Sequence, residues 1–317
     1  MTMARAEERR RFRIAFANLN DDPATPVEGL GFTGAEVRRS FELAARTLPV
    51  DMIYYDNASN PEAAVANAED AVGHKVDLLI EYNSDLDGNA EIGRKLRAAG
   101  IPVLAVNYPV PGAPFYGADN LAAGRIAGKA LGEFARQNWT DQSVVAVIAG
   151  DLGDSAAYIA QRVQGITEGL RKDLPDIALT QFDTSGNPVR LDGLLSKFLL
   201  LQTRRKVLVA TLDDLTALAA KGAIERAARI GDCVIVSQGL DKNVHGGAND
   251  KKEIDPGNRG GIILGSVAYY IDRYGYEVLP LAMKILQGNE VAERTITQHI
   301  LVSGKNVFTE YPPTDMN

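Results

Sequence analysis

Short apolar, β-branched runs alternate along the chain with longer amphipathic stretches, beginning with Arg13-Ile14-Ala15-Phe16-Ala17 and a helix-period segment over residues 34–48. The same alternation predicts strands at 50–55, 77–81 and 102–106, with helices at 61–72 and 88–99 between them. Gly100, ahead of Ile101-Pro102, reads as a helix stop. Crossovers of this length imply a parallel sheet covered by helices, because parallel neighbours need a connection that crosses the sheet.

The pattern then restarts. Helices are predicted at 121–136, 155–170, 192–202 and 215–229, and strands at 144–149, 177–182, 207–210 and 234–236. No residue-level repeat links the halves, so the repetition is architectural. Residues 243–261 are rich in Gly, Asn, Asp and Lys without an apolar period and read as a long surface loop. A strand at 262–267, a helix at 276–287 and a final strand at 297–302 precede a frayed tail. The expected fold class is therefore α/β, with two doubly wound parallel-sheet lobes.

Length agrees, since 317 residues exceed what one hydrophobic core ordinarily serves. With 45% hydrophobic and 24% charged residues the chain is globular in composition. Its net charge of −7 gives no general attraction for nucleic acid or anionic lipid. Nowhere do about 18 apolar residues run together, and residues 1–11 lack an apolar stretch of signal-peptide length, so no direct membrane insertion is expected. Either a signal was removed or the protein stays in the cytoplasm. The lone Cys233 lies in an apolar run and reads as a small core residue.

Catalytic signatures are missing. There is no phosphate-cradling Gly-x-x-x-x-Gly-Lys-Ser/Thr, no His-Glu-x-x-His and no paired cysteines, and His74, His245 and His299 have no metal-ligand spacing, so neither cofactor nor metal is expected. Gly150-Asp151-Leu152-Gly153-Asp154-Ser155 is not Gly-x-Ser-x-Gly, and Ser155 reads as a helix N-cap. A hydrolase with Ser155 as nucleophile and His245 as base is the enzyme alternative to a binding protein.

In open α/β sheets ligands bind beyond the carboxyl ends of the strands. Those positions carry Asn18, Asn20 and Asp21, with Phe32 after a long loop, then Tyr82, Asn83 and Asp85, then Asn107 and Tyr108. In the second half they carry Asp151, Asp154, Asp183, Asp213, Asp214, Gln238 and Asp241. Carboxylates and amides pair with hydroxyls, and aromatic faces take the C–H side of a sugar ring, so the set suits a small carbohydrate. Asx residues after strands also cap helices and close turns, which is how Asn60-Pro61 and Asp87-Gly88 read.

The order and spacing of several strings resemble the type I periplasmic sugar-binding family that includes ribose-binding proteins. They are residues 14–21, 77–84 and 101–109, Tyr116-Gly117-Ala118-Asp119-Asn120 followed by Ala123-Gly124-Arg125-Ile126-Ala127-Gly128, Gln161-Arg162-Val163-Gln164-Gly165-Ile166, and 282–288. The resemblance spans about 12–311. It implies two lobes, 12–118 plus 270–298 and 119–269 plus 299–311, with 1–11 and 312–317 as tails. It also implies hinge crossings near 117–120, 266–270 and 296–302, and ligand in the cleft. Arg162 matches the family's ligand-binding arginine, Asn107 its main hydroxyl-binding carboxylate, and Tyr269 a hinge-side glutamine, with Tyr270 one residue away. Asp119 and Asn120 would organise the crossover between lobes.

Two departures set ribose itself aside: the first loop carries the extra residues 23–31, and the charged pair after the fourth strand is here Asn107-Tyr108. The implied protein is a monomeric, periplasmic solute-binding component that delivers a sugar or polyol to the membrane permease of an ABC transporter. A sensory module for a receptor or kinase is the alternative. The lactose-repressor-type regulators share the fold but carry a DNA-binding head, which only about eleven residues before the first strand cannot supply.

Overall fold

A computed structural model describes residues 11–153, 156–246, 253–255, 257–258 and 261–312. The chain divides into two compact units. The first contains Met1–Thr25, Phe32–Gly117 and Ile271–Thr297, and the second Pro26–Gly31, Ala118–Tyr270 and Gln298–Asn317.

The first unit runs β1 (Phe12–Asn18), α1 (Gly34–Ala45), β2 (Val50–Asp56), α2 (Pro61–Gly73), β3 (Leu78–Glu81), α3 (Leu86–Ala98), β4 (Val103–Val106) and β5 (Phe115–Gly117). In the second unit follow α4 (Asn120–Asn138), β6 (Val144–Gly150), α5 (Ala157–Asp173), β7 (Ala178–Asp183), α6 (Arg190–Leu201), β8 (Lys206–Thr211), α7 (Asp214–Arg226), β9 (Cys233–Gly239), α8 (Lys242–His245) and β10 (Ile263–Ala268). The chain then adds α9 (Tyr274–Leu286) and β11 (Arg294–Ile296) to the first unit, and β12 (Leu301–Ser303) and α10 (Val307–Glu310) to the second.

Each unit has one six-stranded sheet, ordered β11-β5-β4-β3-β1-β2 in the first and β12-β10-β9-β8-β6-β7 in the second. All pairings are parallel except β10 with β12. Both are doubly wound, with the strand order reversing at β1/β3 and at β6/β8, so loops after those strands open on a crevice. Parallel strands covered on both faces read as near-continuous apolar runs. Accordingly β3, β4 and β9 are buried along their whole length. The first core joins Ala15, Leu79 and Ala105 to Ala64, Ala68 and Ile92 of the helices. The second joins Val147, Val209 and Ile235 to Leu195, Ala220 and Ile224.

Three sequence expectations change. The strand expected at 297–302 starts only at Leu301, as β12, and β11 ends just before that range, at Ile296, in the other sheet. Between them both His299 ring nitrogens engage backbone groups, at Asp119 N and Ala268 O. Helix α3 starts at Leu86 because the Asp85 carboxylate caps Gly88 N at 2.6 Å, so the cap is Asp85 and not Asp87. The stretch read as a loop at 243–261 begins with α8, capped by Asp241, and β5 and α10 were too short to show a period. Asn60 caps α2, with Pro61 in its first turn, as read from the sequence. Asp154 and Ser155 lie outside the described residues.

Candidate functional site

Arg162 sits where two helices meet unusually closely. An ideal Cβ on Gly124 would lie 2.4 Å from Arg162 O, and one on Gly128 2.1 Å from Ile166 O. From the other side, Gly165 and Gly169 bring α5 equally close to Leu121 O and Arg125 O. Only residues without a side chain allow backbone to touch backbone in this way. The glycines spaced by four along α4 therefore lock α5 against it, and with it the arginine.

Arg162 is wholly buried. Its Nε donates to Asn120 Oδ1 at 2.8 Å, at the start of α4. Its guanidinium carbon lies 4.9 Å from the Tyr269 ring centre and 5.0 Å from that of Tyr158, while Nη1 has no hydrogen-bond acceptor. Tyr269 donates from its hydroxyl to Gln238 Oε1 at 2.8 Å, and Gln238 Nε2, also buried, has no acceptor either. A buried donor left without an acceptor costs about 1–3 kcal/mol, which a ligand oxygen would recover. The second unit thus presents two unanswered donors, on Arg162 and Gln238, beside two aromatic faces.

The neighbouring charges are tuned by burial. Asp213 caps α7, accepting from Thr216 N at 2.7 Å and Thr216 Oγ1 at 2.6 Å. Burial raises its pKa, and Thr216 and Arg162 oppose that rise. Tyr269 is pushed up by burial, with Asp119 and Glu28 adding to the rise and Arg162 opposing it. His299 packs edge-on against Tyr269 at 4.7 Å, and burial lowers its pKa. Its Nε2 accepts from Asp119 N at 3.0 Å, so the ring is neutral with the proton on Nδ1, donated to Ala268 O.

Asp214 is turned inward. Its carboxylate accepts from Ser237 Oγ, from Ser266 Oγ at 2.7 Å and from Asp241 N at 2.7 Å, tying β9, β10 and the start of α8 together. Burial, with the Asp241 charge next, raises its pKa well above the usual range.

In the first unit Asn107 is held at φ +58°, in the left-handed region. Its Nδ2 donates to Tyr82 Oη at 3.3 Å, and its Oδ1 accepts from Tyr274 Oη at 3.1 Å. Tyr108 stacks on Tyr82 with ring centres 6.3 Å apart, so Asn107, Tyr108 and Tyr82 form one cluster at the ends of β3 and β4. Phe32 is buried ahead of α1. Asn20, Asp21 and Asn83 serve local structure. Asp21 pairs with Arg38 and accepts from Asn18 Nδ2 at 2.8 Å, Asn20 Oδ1 accepts from Asp22 N at 3.2 Å, and Asn83 binds Asn89 and Asp85 around the start of α3.

Sequence reasoning passed over Tyr158 and Asn120 as direct neighbours of Arg162, and considered His299 only to set it aside as a metal ligand. Tyr158 had a signal, since it lies four residues before Arg162 and so on the same helix face. Cys233 is buried and its thiol is pushed up to about 12 by burial, which fits its reading as a core residue. Among the described residues no group of three His, Cys, Asp or Glu is placed to hold a metal ion, and no helix is long and apolar enough to cross a membrane.

No curated protein matches the chain by sequence. Among solved structures, a solute-binding protein from Actinobacillus succinogenes with bound D-allose matches at a TM-score of 0.72 and 16% identity, over 94% of this chain and 100% of that one. A glucose-galactose binding protein from Geobacillus stearothermophilus matches at 0.65 and 19%, over 93% and 98%. A solute-binding protein from Bacillus halodurans with bound myo-inositol matches at 0.67 and 19%, over 95% and 97%. Likeness at this identity establishes a shared fold, that of the type I periplasmic binding proteins. The family model described as periplasmic binding protein domain covers residues 29–290, and the chain accordingly belongs to that family of non-catalytic solute-binding proteins.

Proposed function

We propose that the protein captures one small neutral polyhydroxyl ligand, a monosaccharide or cyclic polyol, and hands it unchanged to the permease of an ABC transporter outside the cytoplasm. The observation that carries this reading is the pair of buried donors without acceptors, Arg162 Nη1 and Gln238 Nε2, beside the faces of Tyr158 and Tyr269. Hydroxyl or ring oxygens would answer the donors, and the C–H face of a ring would lie on the aromatic surface.

Asn107, Tyr108, Tyr82 and Phe32 in the first unit are proposed as further ligand-binding residues. Asp213 is the proposed acceptor for a ligand hydroxyl. Asn20, Asp21, Asn83 and Asp214, though chosen from their strand-end positions, have their polar atoms engaged in local structure and rank below these. Binding is proposed to be completed by hinge closure about the segments near 117–120, 266–270 and 296–302. D-allose, galactose and myo-inositol, bound by or named for proteins of the same fold, are the first ligands to try.

The test is a thermal-shift series with those three compounds, pentoses and glycerol. Ligand at 100 times its dissociation constant adds about 2.7 kcal/mol, which raises Tm by roughly 5–10 °C for units of this size. A series without any shift at millimolar ligand refutes the sugar reading.

A further inference from the structure

The residues that lengthen the first loop do not stay with the unit they interrupt. Pro26–Gly31 belongs to the second unit, although the chain on both sides belongs to the first. Leu30 N donates to Val27 O at 3.0 Å, and Glu28 and Gly29 both have φ of +58°, the signature of a type I′ turn. Glutamate rarely occupies such a position, which favours Gly, Asn or Asp. The turn persists because its flanks are anchored.

Val27 and Leu30 are buried, 1% and 2% exposed. A Cβ on Gly239, at the end of β9, would lie 3.6 Å from Leu30 Cδ2. Gly31 passes so close to Asp241 that a Cβ there would fall 1.3 Å from its Oδ2. A Cβ on Gly29 would lie 3.6 Å from the Tyr158 ring and 3.8 Å from Arg162 Nη1. The tip of the turn therefore rests beside the donor that has no acceptor, and brings a carboxylate with it.

We propose that Pro26–Gly31 is a docked strap whose Glu28 carboxylate stands at Arg162 as a selectivity element, so that the site takes neutral polyhydroxyl ligands and refuses carboxylated ones. This rests on the proposed ligand-binding role of Arg162. The charge balance supports it: the Arg162 charge acts on Asp213 and, together with the Asp119 and Glu28 charges, on Tyr269, while His299 is neutral. Carboxylates already outnumber the single cation, and a further carboxylate brought into this buried place would meet net repulsion. A hydroxyl meets none. Glu28 is the one of the three that neither caps a helix nor follows a strand, so it can change without disturbing a sheet.

The experiment has an arm without ligand and an arm with sugars. In urea unfolding of the full chain, Glu28→Gln and Arg162→Met form a double-mutant cycle. Losing Glu28 should change the unfolding constant at least threefold less once Arg162 is already Met, and equal changes overturn the proposal. By calorimetric titration, wild-type protein should bind D-galactose and exclude D-galacturonate. Glu28→Gln should raise the ratio of galacturonate to galactose affinity at least tenfold, and Gly31→Val, which cannot dock against Asp241, should do the same. An unchanged ratio in both variants overturns the selectivity role. Coupling in the cycle with no sugar bound by the wild-type protein overturns the sugar reading, and with it the selectivity assigned to Glu28, while the docked strap stands.

Discussion

Gly128→Ala and Gly193→Ala make the same chemical change in two helices and should move stability in opposite directions. At Gly128 the new methyl would lie 2.1 Å from Ile166 O, 2.8 Å from Leu170 N and 2.9 Å from Ile166 C, all of them backbone. Carbon and oxygen approach no closer than about 3.3 Å, so α4 and α5 must part by about 1 Å. Overpacking of this kind costs about 1–3 kcal/mol, against which alanine's helix preference returns about 0.5–1 kcal/mol. At Gly193, in α6, nothing lies within 4 Å of the added atom, and only the favourable term remains.

Gly128→Ala should therefore lose about 1–2 kcal/mol in urea unfolding, and Gly193→Ala should gain about 0.5–1 kcal/mol. The loss should also reach the site, because Ile166 is one turn beyond Arg162 and the 2.8 Å bond from Arg162 to Asn120 spans the same seam. Weaker binding of a ligand that Gly193→Ala still holds is the expected companion. Equal stabilisation of both variants would refute the claim that this seam holds Arg162 in place.

Glu81 is fully buried, with Oε1 accepting from Asn57 Nδ2 at 2.9 Å and Oε2 without a donor, and burial raises its pKa from 4.5 to about 8. The folded chain then holds a proton that the unfolded chain has released, so stability should fall by a few kcal/mol as pH rises from 4.5 through 8. Glu81→Gln should flatten that slope in urea unfolding at pH 5, 6.5 and 8, and an equal slope in both proteins counts against the assignment. His299 has the opposite sign. Its lowered pKa means that the unfolded chain takes up a proton first, so its contribution is complete above pH 6.5 and is lost as pH falls through the folded value. His299→Gln, with the pH dependence of Tm as readout, should remove that part of the acid sensitivity. Asn60→Ala should cost about 1 kcal/mol through loss of the cap on Ala63 N, and no change in urea midpoint would refute it.

The doubly wound architecture was legible because parallel strands buried on both faces are near-continuous apolar runs, and β3, β4 and β9 are so up to Glu81 and Ser237-Gln238 at their carboxyl ends. Arg162 was legible only through its resemblance to a family string, since an arginine in a helix is ordinarily a surface residue. Its burial depends on glycines on another helix, a relation that periodicity does not carry. The break between β11 and β12 was hidden because the β-branched run Thr295-Ile296-Thr297 and the apolar run Ile300-Leu301-Val302 are only two residues apart, while His299 spends both ring nitrogens on backbone groups from other segments. Strand-end Asx residues could not be sorted by position alone. Asp213 and Asp214 are adjacent, yet one caps a helix within reach of the Arg162 charge and the other is absorbed by Ser237, Ser266 and Asp241.

The central claim, a single neutral polyhydroxyl ligand held without chemistry at Arg162, is tested most directly by isothermal titration of the sugar or polyol that most raises Tm. The expected result is one saturable site per chain, about 10–100-fold weaker in Arg162→Ala, in line with loss of about 1.5–3 kcal/mol from a charged hydrogen bond. The same ligand should be recovered unaltered from the cell. Equal affinity in wild type, Arg162→Ala and Asn107→Ala, or recovery of a converted ligand, would contradict the account.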